Sequence, residues 1–351
     1  MSAGTARDGG GGAVAARGPL AGWVRWAYLP LLIAFTAAVF IIFLLDSDIN
    51  KFSGTRVSAS LSGTTPRPFA YRVLLPALTR STAAVLPSSA RDLLARNITP
   101  TPPDRMMAAV VRIEPGFQVE TVIWYGWIGL FLLAFALTVE PFFRAGTGIA
   151  TPWTRLVPFA ALLGLPPFFD FAHYYDLPML ALSTLCLLFM VQRRWAAYLA
   201  VLAVACLNKE TAVLFPLVFG LHFFRGGRMD RGRFRRLMLA QAAVVVLIRA
   251  GLMLAFASRP GGAVEFHLWE MLALNYRAYS LETGLAWGAV ALAVLFDWNS
   301  KPAFLKSGLA MLAVLYGAHL VFGCPREIRV FYEVYPVVFS LALYPFLKRM
   351  P

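Results

Sequence analysis

Residues 195–224 read WAAYLAVLAVACLNKETAVLFPLVFGLHFF, an apolar stretch interrupted at its centre by Asn208-Lys209-Glu210. It is either one long helix that buries an ion pair, or two short helices that turn at a polar tip. The flanking charges arbitrate. Arg193 and Arg194 precede the stretch, and Arg225, Arg228, Arg231, Arg233, Arg235 and Arg236 follow it. A single crossing of a bilayer would put the two basic clusters on opposite sides. A hairpin keeps both in the cytoplasm, where Lys and Arg concentrate in membrane proteins. The sequence therefore predicts a hairpin with Lys209 and Glu210 at its outer tip.

Composition demands the membrane setting. Of 351 residues, 59% are hydrophobic and 14% charged, and the mean hydropathy is +0.66. Soluble domains average about 45–50% apolar and about 25% charged residues, so a soluble enzyme and a disordered chain are both excluded. Ten apolar runs fall at 27–45, 119–139, 155–169, 175–191, 195–207, 211–224, 237–257, 283–297, 307–323 and 333–347. Several are shorter than the roughly 20 residues a span requires, so shallow, tilted or re-entrant helices are expected. The expected fold is all-α, a polytopic integral membrane protein of about ten transmembrane helices. Residues 27–351 form one transmembrane domain behind a disordered cytoplasmic tail over 1–26. The run from Tyr28 to Leu45 is long for a signal-peptide core and no small-residue cleavage site follows it, so it reads as a retained anchor. Cys186, Cys206 and Cys324 offer no disulfide framework.

The net charge of +14 would suggest nucleic acid in a soluble domain. Here it reports topology, and no nucleic-acid partner is implied. With ten spans and both termini cytoplasmic, the cytoplasmic segments hold 17 of the 32 basic residues but only four acids, Asp8, Glu140, Asp230 and Asp297. The other 14 acids fall outside. The first outer loop, 46–118, breaks the trend with nine basic residues, and loops of more than about 60 residues escape the charge rule. Within it, 69–78 and 89–94 read as short amphipathic helices lying on the membrane surface.

Ionisable groups at membrane depth are costly and usually functional. Here they gather at the outer ends of different spans. Asp46 and Asp48 follow the first; Asp170, His173, Tyr174, Tyr175 and Asp176 lie between the third and fourth; Lys209 and Glu210 tip the hairpin. His267 and Glu270 follow the seventh span, and Arg326, Glu327, Arg329 and Glu333 precede the last. This delivers carboxylates and cations to one face, beneath the long loop. The pair Asp46 and Asp48 suits general-base work on a hydroxyl, and equally suits a divalent metal or a solvated helix end. Lys209, Arg326 and Arg329 either clamp a phosphate, which guanidinium groups bind bidentately, or pair locally with Glu210, Glu327 and Glu333. His173 is either a functional group or an interface residue. Arg249, in mid-span, reads as one half of a buried ion pair or as a lipid-headgroup contact.

The order of these parts resembles the polytopic glycosyltransferases of superfamily C, in particular the mannosyltransferases that use polyprenyl- or dolichyl-phosphate sugars. Asp46-Ser47-Asp48-Ile49-Asn50 is similar to the acidic motif of the glycosylphosphatidylinositol mannosyltransferases, with Asn50 where they carry a further acid. Tyr71-Arg72-Val73-Leu74-Leu75-Pro76 is similar to their Tyr-Arg-x-x-Pro-Leu-Leu helix, with the Pro displaced. Arg326-Glu327-Ile328-Arg329-Val330-Phe331 is similar to a His-Lys-Glu-x-Arg-Phe motif, with Pro325 in place of the His.

The resemblance implies an inverting transfer of a sugar from a polyprenyl-phosphate donor to a glycan or glycolipid acceptor. It places the work on the outer face of a bacterial inner (plasma) membrane, in the synthesis of cell-envelope glycans. Asp48, with Asp46 beside it, would deprotonate the acceptor, while Arg329, Arg326 and Lys209 would hold the donor phosphate. Tyr71, Arg72, Asp170, His173, Asp176, Glu210, Glu327 and His267 would contact substrate. The scheme requires no metal and no cofactor, and its other partners are membrane lipids. A transporter or flippase for a lipid-linked saccharide, a polysaccharide polymerase or ligase, and a membrane scaffold are the competing readings. A transporter would carry its charges near the midplane with repeat symmetry; here they cluster at one face and no repeat is visible.

Overall fold

The computed structural model describes residues 19–47, 49, 56–98, 113–114, 116–225, 229–261, 266–278, 281–323 and 327–350. Among them every regular element is helical, apart from one isolated bridge between Arg67 and Gly261. The helices are α1 (Pro19–Asp46), α2 (Val57–Ser62), α3 (Leu74–Val85), α4 (Ser88–Ile98), α5 (Gln118–Thr147), α6 (Val157–Leu163), α7 (Asp176–Val191) and α8 (Trp195–Asn208). They continue with α9 (Leu214–Arg225), α10 (Arg231–Ala255), α11 (Leu268–Ala278), α12 (Leu281–Leu295), α13 (Ala303–Gly308), α14 (Ala310–Phe322) and α15 (Tyr335–Leu347).

Four stretches are long and apolar enough to cross a bilayer: Trp26–Asp46, Gln118–Thr147, Arg231–Ala255 and Ala303–Phe322. Asp176–Val191, Trp195–Asn208, Glu210–Phe224, Gly284–Leu295 and Tyr335–Leu347 are shorter apolar helices. The chain is a helical membrane protein. Its outward face shows this directly, since α10 buries only Gln241 and Leu252 while Leu239, Val246, Leu247 and Leu254 are exposed. An exposed apolar surface of that kind fits a lipid-facing helix.

The interior is built around α5 and α7. In α5 the buried residues Trp124, Ile128, Leu132, Phe135 and Val139 recur at helical spacing, and α5 packs along α7. Nearly all of α7 is buried, from Asp176 to Met190, as a helix that is apolar all round should be. Cys186 and Cys206 are buried free thiols in the same interior.

The stretch 195–224 is a hairpin. Lys209 takes an extended conformation (φ −155, ψ 146) that ends α8, and a 3₁₀ turn over Glu210–Val213 leads into α9. Trp195, at the start of α8, lies 5.4 Å from the ring of Phe223 near the end of α9. Arg193 and Arg233 stack on Phe223 and Trp195, so the basic clusters on either side of the hairpin meet at one end of it.

The other helix ends sort in the same way. Tyr28 reaches Glu140 and the Arg155 carbonyl, His222 packs on Phe304, and Lys348 lies 3.9 Å from Asp297. At the opposite end Phe43 meets Phe169, Trp124 meets Tyr174, and Lys209 meets Asp176 and Glu333.

Two elements differ from the sequence reading. The helix of α1 begins at Pro19, ahead of the expected start near 27. The run 155–169 is not one helix but α6 between two 3₁₀ turns, Pro152–Leu156 and Pro166–Phe168. Pro166 and Pro167 stop it, because proline lacks an amide donor and disfavours helical backbone before it. Gly164 leaves room for Tyr335, whose hydroxyl would lie 2.6 Å from any Cβ there and donates to the Ala161 carbonyl.

The segment between α1 and α5 carries α2, α3 and α4, so short helices stand where 69–78 and 89–94 were expected to form them. A 3₁₀ turn over Phe69–Tyr71 precedes α3, which buries Leu74, Leu75, Pro76 and Thr79 and packs on α5.

Candidate functional site

The loop 169–175 turns sharply, with Phe171 at φ 59, and delivers Tyr175 and Asp176 to the start of α7. Asp176 is fully buried and accepts from the His173 amide at 2.8 Å. A carboxylate in the first turn of a helix is favoured by the amide dipoles. Two cations share it. Lys209 Nζ lies 3.5 Å from Oδ1 and 2.9 Å from Glu333 Oε1, and Arg329 Nη1 lies 3.4 Å from Oδ2. Glu333 also accepts from Thr211, while its Oε2 has no partner among the described residues.

Tyr175 is the centre of this arrangement. Arg329 Nη1 donates to its hydroxyl at 2.7 Å, and the Arg72 guanidinium stacks on its ring at 3.8 Å. Lys209 lies 5.6 Å from the same ring. Asn208 holds the Tyr175 carbonyl at 2.9 Å, tying the hairpin tip to the loop. Arg72 donates from Nη2 to Glu210 at 2.7 Å, and Arg329 pairs with Glu327.

Burial opposes the charges on Arg72 and Arg329, but neighbouring acidic groups more than compensate, and both stay above the ordinary arginine value. Burial, reinforced by Arg329, Arg72 and Lys209, holds the His173 imidazole well below its ordinary 6.5. His173 is therefore neutral at pH 7.

Of the residues to which the resemblance gave a site role, the structure assembles seven: Arg72, His173, Asp176, Lys209, Glu210, Glu327 and Arg329. Local ion pairing, one of the two roles open to Lys209 and Arg329, is present. Within this cluster two buried guanidinium nitrogens have no partner among the described residues, Arg72 Nη1 and Arg329 Nε.

Asp46 is exposed at the end of α1, on the end of the molecule that holds the cluster, since Phe43 packs on Phe169. Asp48 and Arg326 lie outside the described residues. Three other candidates stand apart from the cluster. Asp170 is exposed, His267 engages Glu270 at 2.6 Å, and Tyr71 carries Arg249 over its ring at 5.5 Å. Arg249 also donates to the Cys206 carbonyl; no carboxylate pairs with it among the described residues.

Comparison with protein-family models, with curated proteins and with solved structures finds no match.

Beside the cluster lies an apolar cavity of about 540 Å³ between α12, α14 and α15. Trp287, Val294, Leu312 and Tyr335 line it, together with Ile328 and Phe331 on either side of Arg329 in the chain. His319 also lines it, buried, with Nδ1 unpartnered among the described residues. Sequence reasoning passed over His319, although an ionisable residue inside an apolar run marks a candidate site by itself. Glu333 and Tyr175 were visible as polar residues at the right ends, but nothing in the sequence gave them central positions.

Proposed function

We propose that the chain is a polytopic glycosyltransferase with ten spans and cytoplasmic termini, which moves a sugar from a polyprenyl-phosphate donor to an acceptor hydroxyl on the outer face. The observation that carries this reading is the apolar cavity beside a buried guanidinium. The turn Ile328–Phe331 contributes both the cavity wall and Arg329. An apolar chain gains from such a cavity, and a phosphate at its head meets a cation with a spare donor, Arg329 Nε. The sorting of helix ends into two sets supports the topology.

In the proposed reaction the acceptor oxygen attacks the anomeric carbon, and the bond from that carbon to the phosphate oxygen breaks. The electron pair stays on the lipid phosphate, the hydroxyl proton passes to Asp48, and the anomeric configuration inverts. Fixed cations near the leaving oxygen stabilise the charge that develops there. Transfer by purified protein from a polyprenyl-phosphate sugar tests the reading. Dependence on a diphosphate donor instead would indicate a polymerase or ligase, and movement of the lipid without transfer would indicate a flippase.

Two results are expected. Arg329→Ala should lower kcat/KM for the donor about tenfold or more, since a hydrogen bond to a charged group contributes about 1.5–3 kcal/mol. Arg329→Lys, which keeps charge but loses the planar fork, should fall between. Normal donor kinetics in folded Arg329→Ala would leave Arg329 as a structural partner of Asp176 and Glu327. For topology, single cysteines near Asp48, Glu210 and Glu327 in a Cys-less background should react with an impermeant thiol reagent on intact cells, and one near Arg231 should not. Labelling at Arg231 but not at Glu210 would reverse the assignment.

A further inference from the structure

A second, smaller cavity of about 150 Å³ opens where the first outer loop meets the end of α10. A single water needs about a tenth of that room. Three arginines, Arg72, Arg80 and Arg259, line it together with the hydroxyl residues Ser60 and Thr65, and no carboxylate residue does so among the described residues. Segments nearly two hundred positions apart in the chain build it. The Arg67 amide donates to the Pro260 carbonyl at 2.9 Å, and the Arg259 guanidinium lies directly over Gly63. A Cβ at Gly63 would come within 2.6 Å of Arg259 Nη2, and the backbone there is left-handed, φ +72. Glycine is what admits the arginine.

The charge in this cavity is unbalanced. Arg72 has Glu210, but neither Arg80 nor Arg259 has a carboxylate partner among the described residues. Arg80 donates instead to the Leu61 carbonyl. Arg72 is only 7% exposed, and its Nη1 has no acceptor among the described residues. A buried donor left without a partner is costly. Oxygen acceptors with negative charge would satisfy Arg72 and neutralise the other two guanidinium groups, which are built to fork onto such ligands.

We propose that this cavity is a binding site for a compact oxyanion, a phosphate, sulfate or carboxylate group presented from the side of the first outer loop. The group can come from an anionic lipid headgroup or from a soluble sugar phosphate. The proposal stands on these residues alone and is independent of the transferase reading.

The test is titration of inorganic phosphate into the purified full-length chain in neutral phosphatidylcholine nanodiscs, read by calorimetry. Saturable binding is expected, weakened about tenfold or more in Arg80→Gln/Arg259→Gln, because charge-assisted hydrogen bonds are lost. Both side chains are at least partly exposed, so the variant should fold, and its thermal stability is the control. Gly63→Ala should weaken binding too, by displacing Arg259. Competition by phosphatidylglycerol in the nanodisc would identify the headgroup as the source, and competition by a soluble sugar 1-phosphate would identify a polar ligand. Absence of saturable binding would overturn the proposal. So would binding that survives Arg80→Gln/Arg259→Gln but is lost in Arg329→Ala, because that places the anion at the other cluster. Sugar transfer without phosphate binding would remove this site and leave the enzyme reading intact. Phosphate binding without transfer would do the reverse.

Discussion

Asp48→Asn is expected to lower sugar transfer about a hundredfold to ten-thousandfold, the usual effect of losing a general base, while the protein still folds and binds donor. Asparagine is nearly the same size and shape as aspartate, but it cannot accept a proton at neutral pH. The effect should therefore fall on kcat and spare donor affinity. Asp46→Asn should be milder if Asp46 only orients the acceptor, and its exposed place at the end of α1 fits that lesser role. Stability in detergent is the control, because a misfolded variant is also inactive. If Asp48→Asn turns over normally and Asp46→Asn is dead, the base is the other member of the pair. If both stay active, the acidic pair is a solvated helix end and the proposed chemistry is wrong.

The second large effect is on the fold. Lys209→Met should destabilise the protein by about 3–5 kcal/mol, the cost of removing one partner from a buried ion pair. Methionine fills a similar volume, so packing should change little. The loss arises because Glu333, fully buried, is left with Thr211 as its remaining partner among the described residues. Asp176 suffers less, because Arg329 and the His173 amide still reach it. This asymmetry makes a specific prediction for the double variant. Lys209→Met/Glu333→Gln should recover much of the stability, so that the double variant loses less than the sum of the two single losses, as expected for directly coupled groups. A Lys209→Met protein within 1 kcal/mol of the parent would show that the network contributes nothing to stability.

Much of this arrangement is legible in the sequence, for identifiable reasons. The hairpin follows from Asn208-Lys209-Glu210 and the arginines on both flanks, because charge sidedness is a property of the chain alone. The same argument puts Arg72, Asp176, Lys209, Glu210 and Arg329 at one end of the molecule, where the structure finds them together. Sidedness says nothing about lateral position, however. His267 and Asp170 share that end and stand apart from the cluster. The pairing of Lys209 with Glu333, the stacking of Arg72 on Tyr175 and the cavity around His319 all join segments far apart in the chain. No local pattern encodes those contacts. The broken run 155–169 was legible in principle, since Pro166 and Pro167 announce it, but hydropathy averaged over a window conceals them.

The hairpin also has a mechanical consequence for the surrounding lipid. Its helices have 14 and 12 residues, and at about 1.5 Å per residue they rise only about 21 and 18 Å. The hydrocarbon layer is about 30 Å thick. If the proposed topology holds, the charged tip ends several ångströms short of the far headgroups, and the bilayer must pucker down to meet it. A lipid phosphate would then travel sideways into the cluster along a dimple in the leaflet, without its chain rising out of the oil. The thickness of the host membrane becomes a control on access, with thin bilayers relieving the dimple and thick ones deepening it.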